Sequence, residues 1–461
     1  MKITRTDRYD LVVCGGGPAG FACAVSAARA GLSVALVERG GCLGGTATLA
    51  GVNHMLGGRK LNEKTGEHVR VVGGIFDELT DHLIRNGTAV EPNTIDLSFN
   101  PFGWYPRMAS GIAFDETAMK VAMDDFCDWA GVRVYYHTVL TSVEKNGSRI
   151  LAVIVWNKDG FIRICANSFA DCTGDADLSA FALCPYSQGR REDGLTTPCS
   201  TMMRVENVDS DALVSYQNQH QSPKLVEIIQ RLKEEGIWSF PYEIFVTVRL
   251  VQKDVFMINT IRQIGIDGTS EAAVSRALAD GRREDLKLFD IIRTYFPGFQ
   301  NARIQKISDH LGVRESRRIQ GQYTVTVQNA LSGKRYDDTV AATTYNFDLP
   351  DPLRPSYDPM MGDAKNPNAE RKHIVIRIPY RSLLPRNADN LIVAGRCVSA
   401  QREVLGSIRV MGPCMMMGQA AGTAAVLSKS QGGDFRKVDT AHLRQALFQA
   451  GILDPDTLPF D

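Results

Sequence analysis

The sequence has no excess of charge of either sign. Lysine plus arginine and aspartate plus glutamate each total 52, so the chain lacks the basic surface with which proteins bind nucleic acid or anionic membranes. No apolar run reaches the roughly 20 residues needed to cross a bilayer, and the polar start MKITRTDRYD does not resemble a signal peptide. We therefore predict a cytoplasmic protein with a small-molecule partner and with no nucleic-acid or membrane partner. The composition does not indicate an oligomeric state.

Patterns typical of metal sites and disulfides are also missing. The ten cysteines form no C-x-x-C pair, and several stand among apolar neighbours, as buried thiols do in a reducing compartment. The eight histidines show no ligand spacing such as H-E-x-x-H. We predict no metal site. The lack of a cysteine cluster also argues against an iron–sulfur centre.

A strand–helix–strand pattern occupies the N-terminal region. Residues 9–14 and 32–37 are apolar runs rich in β-branched residues, and residues 18–30 between them are small and helix-forming. This order predicts one βαβ unit. A chain of 461 residues is long enough for two or three domains, and this unit predicts what one of them binds.

Glycines stand between the first strand and the helix with the G-x-G-x-x-G spacing. Gly15 would make the tight turn, Gly17 would admit a pyrophosphate, and Gly20 would let the helix pack on the strand. The helix that begins at Pro18 and Ala19 would direct its amide groups at the phosphates. Glu38 ends the second strand, where a carboxylate accepts hydrogen bonds from ribose hydroxyls. The pattern predicts a dinucleotide site.

A second glycine cluster follows at once. Its candidate cofactor residues are Arg39, Gly44, Gly45 and Thr46. Such a cluster is either a flexible surface loop or a place where the backbone passes close to the bound dinucleotide, and we favour close passage because glycine has no side chain in the way.

The middle of the chain returns to α/β patterns. A helix is predicted over 115–130, a strand over 132–141, and a hairpin over 150–169. The candidate cofactor residues here are Val139 and the strand end Thr173, Gly174 and Asp175. Open α/β sheets bind ligands at such strand ends. An Asx turn that caps the next helix would explain the same residues and is compatible with binding.

Residues 200–372 show no second dinucleotide pattern. Helices are predicted over 209–235 and 269–295, on either side of a β-rich run over 243–266. We interpret this half as a substrate domain. Its run GVRESRRIQG begins at 312, and an ordinary surface ion-pair network would explain it. The apolar residues before it instead favour burial, in which case the arginines could hold a carboxylate or phosphate by paired hydrogen bonds.

The C-terminal region predicts a short buried strand over 391–394 and a helix over 413–427 with a face of small residues. Free amide groups at the start of that helix would suit the pyrimidine edge of a flavin. This region adds cofactor candidates at a strand end and at the helix start: Gly395, Arg396, Gly412, Cys414 and Met415.

The combination of GGGPAG, ERGGCLGGTAT, DCTGDADLSA, GVRESRRIQGQY, NLIVAGRCVSA and MGQAAGTAA resembles the FAD-dependent oxidoreductases of the two-dinucleotide-binding-domain flavoproteins. The resemblance covers essentially the whole chain and implies non-covalent FAD, with NAD(P)H only as a passing electron donor. Arg402 stands where relatives often carry histidine, and Cys172 where they carry alanine. Because arginine cannot readily act as a neutral base, the resemblance does not supply a general acid or base.

The resemblance implies an α/β fold: a Rossmann-like FAD-binding domain, discontinuous in sequence and with a mixed sheet, plus an inserted α+β substrate domain. The predicted FAD-binding segments are 1–56, 111–199 and 373–461. An excursion or cap would cover 57–110, and the substrate domain 200–372.

We expect an FAD-dependent oxidoreductase that moves a hydride between flavin N5 and a small organic substrate, which the arginines suggest is anionic. The alternatives are an electron-transfer subunit and a tRNA-modifying flavoprotein; the balanced charge argues against the second of these. A single histidine such as His54 is more often structural than catalytic. The candidates near the reacting carbon are His54, Arg314, Arg317, Tyr380, Arg402 and Arg409.

Overall fold

A computed structural model describes residues 2–95, 110–222, 225–243, 245–354 and 374–460, together with the backbone of 357–358 and 362–363. Parts of the predicted cap (57–110) and of the predicted substrate domain (200–372) lie outside the described residues. The described strands are β1 Ile3–Cys14, β2 Val34–Val37, β3 His54–Met55, β4 Arg59–Leu61, β5 His68–Arg70, β6 Ile112–Ala113, β7 Arg133–Tyr135, β8 Val139–Asn146, β9 Arg149–Asn157, β10 Gly160–Asp171, β11 Tyr186–Gln188, β12 Met203–Glu206, β13 Thr247–Arg249, β14 Phe256–Ile258, β15 Arg303–Ile307, β16 Arg317–Ile319, β17 Thr339–Thr343, β18 Tyr357–Asp358, β19 Gly362–Asp363, β20 Ile376–Pro379 and β21 Leu391–Val393.

The described α-helices are α1 Pro18–Arg29, α2 Gly74–Arg85, α3 Glu116–Ala130, α4 Asp177–Phe181, α5 Ser210–His220, α6 Val226–Glu234, α7 Glu271–Tyr295, α8 Val327–Leu331, α9 Arg402–Ile408, α10 Met411–Ser428 and α11 Thr440–Gln449.

The main sheet has seven strands, with β7, β2, β1, β10, β9 and β8 in order. Strands β1, β2, β7 and β10 pair in parallel, whereas β9 and β8 continue the sheet antiparallel. On one side, β10 has two partners in succession: its N-terminal part pairs with β9, and its C-terminal part pairs with β21. The predicted α/β class with a mixed, discontinuous Rossmann-like sheet is confirmed.

The strands next to the first glycine turn end at one edge of this sheet. Cys14 of β1 pairs with Val37 of β2 and with Asp171 of β10, so these three strands stop side by side. β21 ends beside them, since Asp171 also pairs with Val393. The carboxyl ends of parallel strands form the edge where open α/β sheets bind ligands.

A second, four-stranded antiparallel sheet is formed by β13, β14, β12 and β15 in that order. Helices α5, α6 and α7 pack on it around their own buried core, which is rich in aromatic residues such as Trp238, Phe256 and Phe296. This part of the chain therefore buries enough apolar surface to be an α+β unit, as predicted. The boundaries assigned to the predicted domains stay a prediction.

Helix α10 is packed inside the protein. Nearly all of its residues are buried, and it lies along α1, where Gly418 and Gly422 leave no space for a side chain: a Cβ would overlap the carbonyl oxygens of Ala19 and Cys23. Among the described residues no single helix is long and apolar enough to cross a membrane. Helix α9 and the chain from Met411 to Gln431, bent by 91°, reach that length and composition only together.

Candidate functional site

One cavity of about 1260 Å³ runs from the glycine turn after β1 to the start of α10. Its walls come from the main sheet, from the second sheet and from the loops between them. Single pockets for drug-sized ligands measure roughly 300–1,000 Å³. The cavity is therefore large enough for a long cofactor with a second, smaller molecule beside it.

The turn between β1 and α1 fits the backbone of a dinucleotide. Gly15 has φ +97°, which favours glycine, and a Cβ there would overlap the Cys172 carbonyl. Gly17 is different, because it lines the cavity and a Cβ there would meet no atom within 4 Å. No side chain caps the helix that begins at Pro18. Open space beside uncapped helix amides is what a pyrophosphate requires.

The Glu38 carboxylate is fixed by the two glycine-rich segments. The amide of Gly16 donates to its Oε2 at 2.7 Å, and the amide of Gly40 donates to Oε1 at 2.6 Å. Glu38 is 5% exposed and lines the cavity. Each carboxylate oxygen keeps a second lone pair, so Glu38 is positioned to accept from ribose hydroxyls. These observations fit the adenosine half of FAD.

Most of the predicted cofactor residues line this cavity. They are Gly15, Gly17, Pro18, Ala19, Glu38, Arg39, Gly45, Thr46, Val139, Thr173, Gly174, Asp175, Gly395, Arg396 and Cys414. The close-passage interpretation of the second glycine cluster fits this placement, since the amide of Gly44, at φ +100°, donates to the Gly16 carbonyl at 2.8 Å.

Four predicted cofactor residues lie behind the cavity wall: Gly20, Gly44, Gly412 and Met415. Each of the first three keeps the backbone close to a neighbouring segment. A Cβ at Gly20 would overlap the Gly15 carbonyl oxygen, one at Gly44 would meet Thr48 Cγ2 at 2.7 Å, and one at Gly412 would meet the Gly57 backbone. Met415 is a buried core residue. These four shape the wall without lining it.

Two buried guanidinium groups share the same acceptors at the other end of the cavity. Arg262 Nη1 donates to Ser200 Oγ at 3.1 Å and to Asn259 Oδ1 at 3.0 Å. Arg314 donates to the same two atoms, from Nη1 at 2.7 Å and from Nη2 at 3.0 Å. Arg262 and Arg314 are 7% and 9% exposed. Two cations therefore lie side by side on neutral acceptors.

The two charges are destabilised in this position. Burial lowers the pKa of Arg262 to about 10. Burial lowers the pKa of Arg314 as well, and the neighbouring charges of Arg262 and Arg409 lower it further. An anion bound between the two guanidinium groups would relieve both effects.

Arg409 and Asp348 stand on the same cavity wall. Arg409 Nη2 donates to the Asp348 backbone oxygen at 2.8 Å, and its distance to Asp348 Oδ2 is 3.4 Å. The hydroxyl of Tyr345 donates to Oδ2 at 3.1 Å. We refer to Asn259, Arg262, Arg314, Tyr345, Asp348 and Arg409, all of which line the cavity, as the arginine end.

His54 lines the cavity but is uncharged. Burial lowers its pKa to about 4, with an opposing contribution from the Gly111 backbone. The ring lies against Gly111, where a Cβ would overlap Nε2, and Nε2 has no hydrogen-bond partner among the described residues. His54 therefore adds no positive charge to the site at neutral pH, and a structural role stays open.

Arg317 lines the cavity near the strand ends. Its Nη1 donates to Asp177 Oδ1 at 2.8 Å and to the Asp175 carbonyl at 3.1 Å. The Asp175 carboxylate pairs with Arg396 at 2.7 Å and accepts from Ser316 Oγ at 2.7 Å. Arg317 and Arg396 are thus neutralised by their own aspartates, unlike the arginine end.

Two catalytic candidates are not brought to the cavity. Tyr380 is buried and donates to the Phe435 carbonyl at 2.9 Å. Arg402 is bound to Glu315, with Nε 3.0 Å from both carboxylate oxygens, and Arg318 Nη1 donates to the same carboxylate at 2.7 Å. Tyr380 and Arg402 therefore do not line the cavity, and this geometry gives no support to the prediction that they are catalytic.

The RESRR run is therefore largely buried and is not a surface network. Glu315 is fully buried between Arg318 and Arg402 and also accepts from the Thr197 amide at 2.8 Å. This anchored carboxylate fixes the backbone from which Arg314 reaches the cavity. Among described residues no group of three or more His, Cys, Asp or Glu side chains could hold a metal ion.

Four residues of the arginine end are not among the candidates predicted from the sequence: Asn259, Arg262, Tyr345 and Asp348. For Arg262 a weak signal existed, because it lies in the predicted β-rich run over 243–266 and directly follows the apolar residue Ile261. Nothing comparable marks Tyr345 or Asp348.

The chain is similar to several known proteins. A segment of 38 residues is 58% identical to part of dihydrolipoyl dehydrogenase of Trypanosoma brucei brucei. This segment makes up 8% of this chain, and the match spans only 8% of the length of that protein. Among solved structures, a geranylgeranyl bacteriochlorophyll reductase-like protein from Thermoplasma acidophilum is 11% identical, with 98% of this chain and 90% of that one covered and a TM-score of 0.45. A p-nitrophenol 4-monooxygenase from Pseudomonas putida is 12% identical, with 96% and 89% covered and a TM-score of 0.45.

The family model described as FAD dependent oxidoreductase matches residues 10–447, nearly the whole chain. The glycine turn, the uncapped start of α1 and the Glu38 carboxylate fit the cofactor that this description names. The chain belongs to the family of FAD-dependent oxidoreductases and is an enzyme of that kind.

Proposed function

We propose that the enzyme transfers a hydride between flavin N5 and a small anionic organic substrate bound at the arginine end. When bound, non-covalent FAD supplies the two-electron chemistry, and the protein supplies orientation and charge. The observation that carries the proposal is the pair formed by Arg262 and Arg314, buried side by side on neutral acceptors at the cavity wall.

The electrostatic cost of this pair supports an anionic ligand. Two like charges about 4 Å apart repel by roughly 4 kcal/mol at the effective dielectric of a protein. The shared acceptors, Ser200 and Asn259, are neutral and do not remove that repulsion. Guanidinium groups bind carboxylate and phosphate through paired hydrogen bonds. A substrate anion would therefore be held and oriented by Arg262 and Arg314 together.

Other residues would complete the substrate's surroundings. Arg409 lies on the same wall, and the Tyr345 hydroxyl shares the Asp348 carboxylate with it. Neutral His54 would contribute shape and hydrogen bonding without adding charge. In the oxidative direction the substrate would lose a hydride from carbon and a proton from its O–H or N–H group; in the reductive direction it would gain both. NAD(P)H would act only as a passing electron donor.

Anaerobic bleaching of the bound flavin tests the proposal. In the oxidative direction, we expect the visible absorbance of the purified yellow protein to fall when one class of small hydroxy or amino acids is added. In the reductive direction, we expect the absorbance to return when an unsaturated acid is added after reduction by NADH or NADPH. Bleaching only by uncharged substrates would contradict the anionic assignment. Electron transfer to a protein acceptor without small-molecule turnover would instead indicate an electron-transfer subunit.

A further inference from the structure

The arginine end carries more positive charge than one carboxylate of a substrate would neutralise. Among the described residues of the arginine end, three guanidinium groups, those of Arg262, Arg314 and Arg409, stand beside one carboxylate, that of Asp348. The surplus is two positive charges. Asp348 neutralises one of the three positive charges only weakly, because its side chain is 43% exposed and its charge is screened by water.

The hydrogen bonds of these arginines leave donors unused. All the described hydrogen bonds of the Arg262 guanidinium come from Nη1, so Nη2 donates to no described residue. Arg409 bonds only through Nη2, so Nη1 likewise donates to no described residue. The Nε atoms of both are buried without a partner. Buried guanidinium donors without partners are costly, and a bound ligand would satisfy them.

We infer that the substrate of this site is a small dianion, with one negative group held between Arg262 and Arg314 and a second at Arg409. The inference rests on the proposed function and narrows it to a substrate class. A dicarboxylate and a phosphate monoester share the required chemistry, since the planar guanidinium fork matches both. Arg409 is then the residue that determines specificity for two charges over one, because Arg262 and Arg314 would also hold the single negative group of a monoanion.

A monoanion explains these observations less well. It would neutralise one of the two surplus charges and would leave the donors of either Arg262 or Arg409 unsatisfied. Reduced flavin, which is anionic, could offset one charge but only after reduction. The oxidised holoenzyme is therefore the state in which the preference for a dianion is tested most cleanly.

The first experiment is calorimetric titration of the oxidised, FAD-loaded protein with acids matched in length. Malonate is compared with propionate, and succinate with butyrate; inorganic phosphate is titrated separately and as a competitor. For a dicarboxylate substrate, we expect the preferred dicarboxylate to bind at least about tenfold more tightly than its matched monocarboxylate. For a phosphate ester, we expect inorganic phosphate to bind and to compete with the acids. Phosphate binding would assign the second negative group to a phosphate ester. Matched acids that bind within about twofold of one another, together with no phosphate binding, would overturn the inference.

The second experiment changes single arginines and repeats the titration. Arg409→Gln should reduce the dianion affinity by about tenfold or more while the monoanion affinity changes less, whereas Arg262→Gln should weaken the binding of both. Arg8→Gln, an exposed arginine of β1, is the control and should change neither. FAD content and thermal melting report whether each variant is folded; Arg262→Lys, which keeps the charge without the fork, should give an intermediate loss. A dianion preference that survives in Arg409→Gln would overturn the inference.

The two proposals fail in different ways. If no small anion bleaches the flavin or binds at all, the proposed function itself is wrong. If monoanions bleach the flavin as well as dianions do, the proposed function stands and only the dianion inference is wrong.

Discussion

Glu38 connects two backbone segments through one side chain. Its two carboxylate oxygens accept from the amides of Gly16 and Gly40, and both can also accept from a ribose. The sequence pattern predicted the ribose contact from the position of Glu38 at the end of β2. It could not predict the two backbone bonds, because they depend on how the second glycine cluster folds back.

We expect Glu38→Gln to weaken FAD binding by about tenfold or more. Glutamine has one acceptor oxygen, so one of the two glycine amides would face an NH₂ group, and a hydrogen bond to a charged acceptor contributes about 1.5–3 kcal/mol. Fluorescence titration of the apoprotein with FAD measures the change. Glu63→Gln, an exposed glutamate that lines the same cavity, is the control. Equal FAD affinity in Glu38→Gln and the wild type would show that Glu38 does not contact the cofactor.

The buried ring of His54 predicts a dependence of stability on pH. The ring resists protonation down to about pH 4 in the folded protein, whereas in the unfolded chain it has its ordinary pKa of 6.5. Between these values the unfolded state binds more protons, so the free energy of unfolding falls as the pH falls. We expect His54→Gln to be less stable at pH 7 but to lose less stability between pH 6.5 and pH 4.

Urea unfolding at several pH values measures this slope, with His442→Gln, an exposed histidine of α11, as the control. An unchanged slope in His54→Gln would mean that His54 has the same pKa, 6.5, in the folded protein as in the unfolded chain. The ring would then add a positive charge to the cavity below about pH 6.5 and would change the charge count on which the dianion inference rests in that range.

Among the elements, α1 and α10 come from opposite ends of the chain and pack as one unit. The small-residue face of the predicted helix over 413–427 indicated close packing, and the structure shows the partner to be α1, through Gly418 at Ala19 and Gly422 at Cys23. The sequence could predict the existence of a close contact but not the partner, since many elements offer a suitable backbone.

We expect Gly418→Ala to destabilise the protein by about 1–3 kcal/mol, because the new methyl group would overlap the Ala19 carbonyl oxygen and separate the helices. Intrinsic helix propensity would act in the opposite direction by about 1 kcal/mol. Thermal unfolding measures the net effect, and Lys287→Ala at an exposed position of α7 is the control. A more stable Gly418→Ala variant would show that the helices can separate without cost.

Two predicted elements are interrupted in the structure. The helix predicted over 209–235 is wrong as one element, because Gln221 adopts φ +50° and separates α5 from α6. The strand predicted over 132–141 is likewise divided between β7 and β8, with His137 at φ 48° between them. At the second break apolar residues continue on both sides of His137, so periodicity could not locate it. At the first break residues 217–224 (QNQHQSPK) contain no apolar residue and include a proline, so the sequence did carry a signal for it.

At the scale of the whole molecule, a buried carboxylate links α3 to two strands of the second sheet. Glu116, at the start of α3, accepts from Lys120 at 2.6 Å, from Lys306 of β15 at 2.7 Å and from Arg204 of β12 at 3.2 Å. It is 3% exposed. α3 is therefore fastened to the second sheet by an ion cluster.

We expect Glu116→Gln to lower the free energy of unfolding by about 1–3 kcal/mol, because three cations lose their shared partner. Burial alone would raise the pKa of Glu116, but hydrogen bonds from Lys120 and Lys306 outweigh it and hold the pKa below its ordinary value of 4.5. The stabilisation is thus present above pH 4.5 and is lost as the pH falls through the folded pKa.

Denaturant unfolding at pH 7 and at pH 3.5 checks this account: the difference between Glu116→Gln and the wild type should shrink at the lower pH. Asp309→Asn removes an exposed partner of the same Lys306 and is the control. A difference that is as large at pH 3.5 as at pH 7 would place the effect in packing, not in charge.

The sequence predicted the cofactor half of the cavity better than the substrate half. Short motifs near Gly15, Glu38 and Asp175 each predict a local structure that binds part of the dinucleotide. The arginine end has no local pattern, because Arg262, Arg314 and Arg409 come from separate parts of the chain and meet only in the folded protein. Its acceptors, Ser200 and Asn259, are ordinary polar residues in the sequence.

We propose above all that Arg314 and its neighbours hold an anionic substrate against the bound flavin. Anaerobic stopped-flow bleaching by the active small acid, compared between the wild type and Arg314→Gln at equal FAD content, tests it most directly. We predict that Arg314→Gln retains yellow FAD but needs at least about tenfold more of the acid to reach half of the maximal bleaching rate. Bleaching of Arg314→Gln with wild-type concentration dependence would contradict the account.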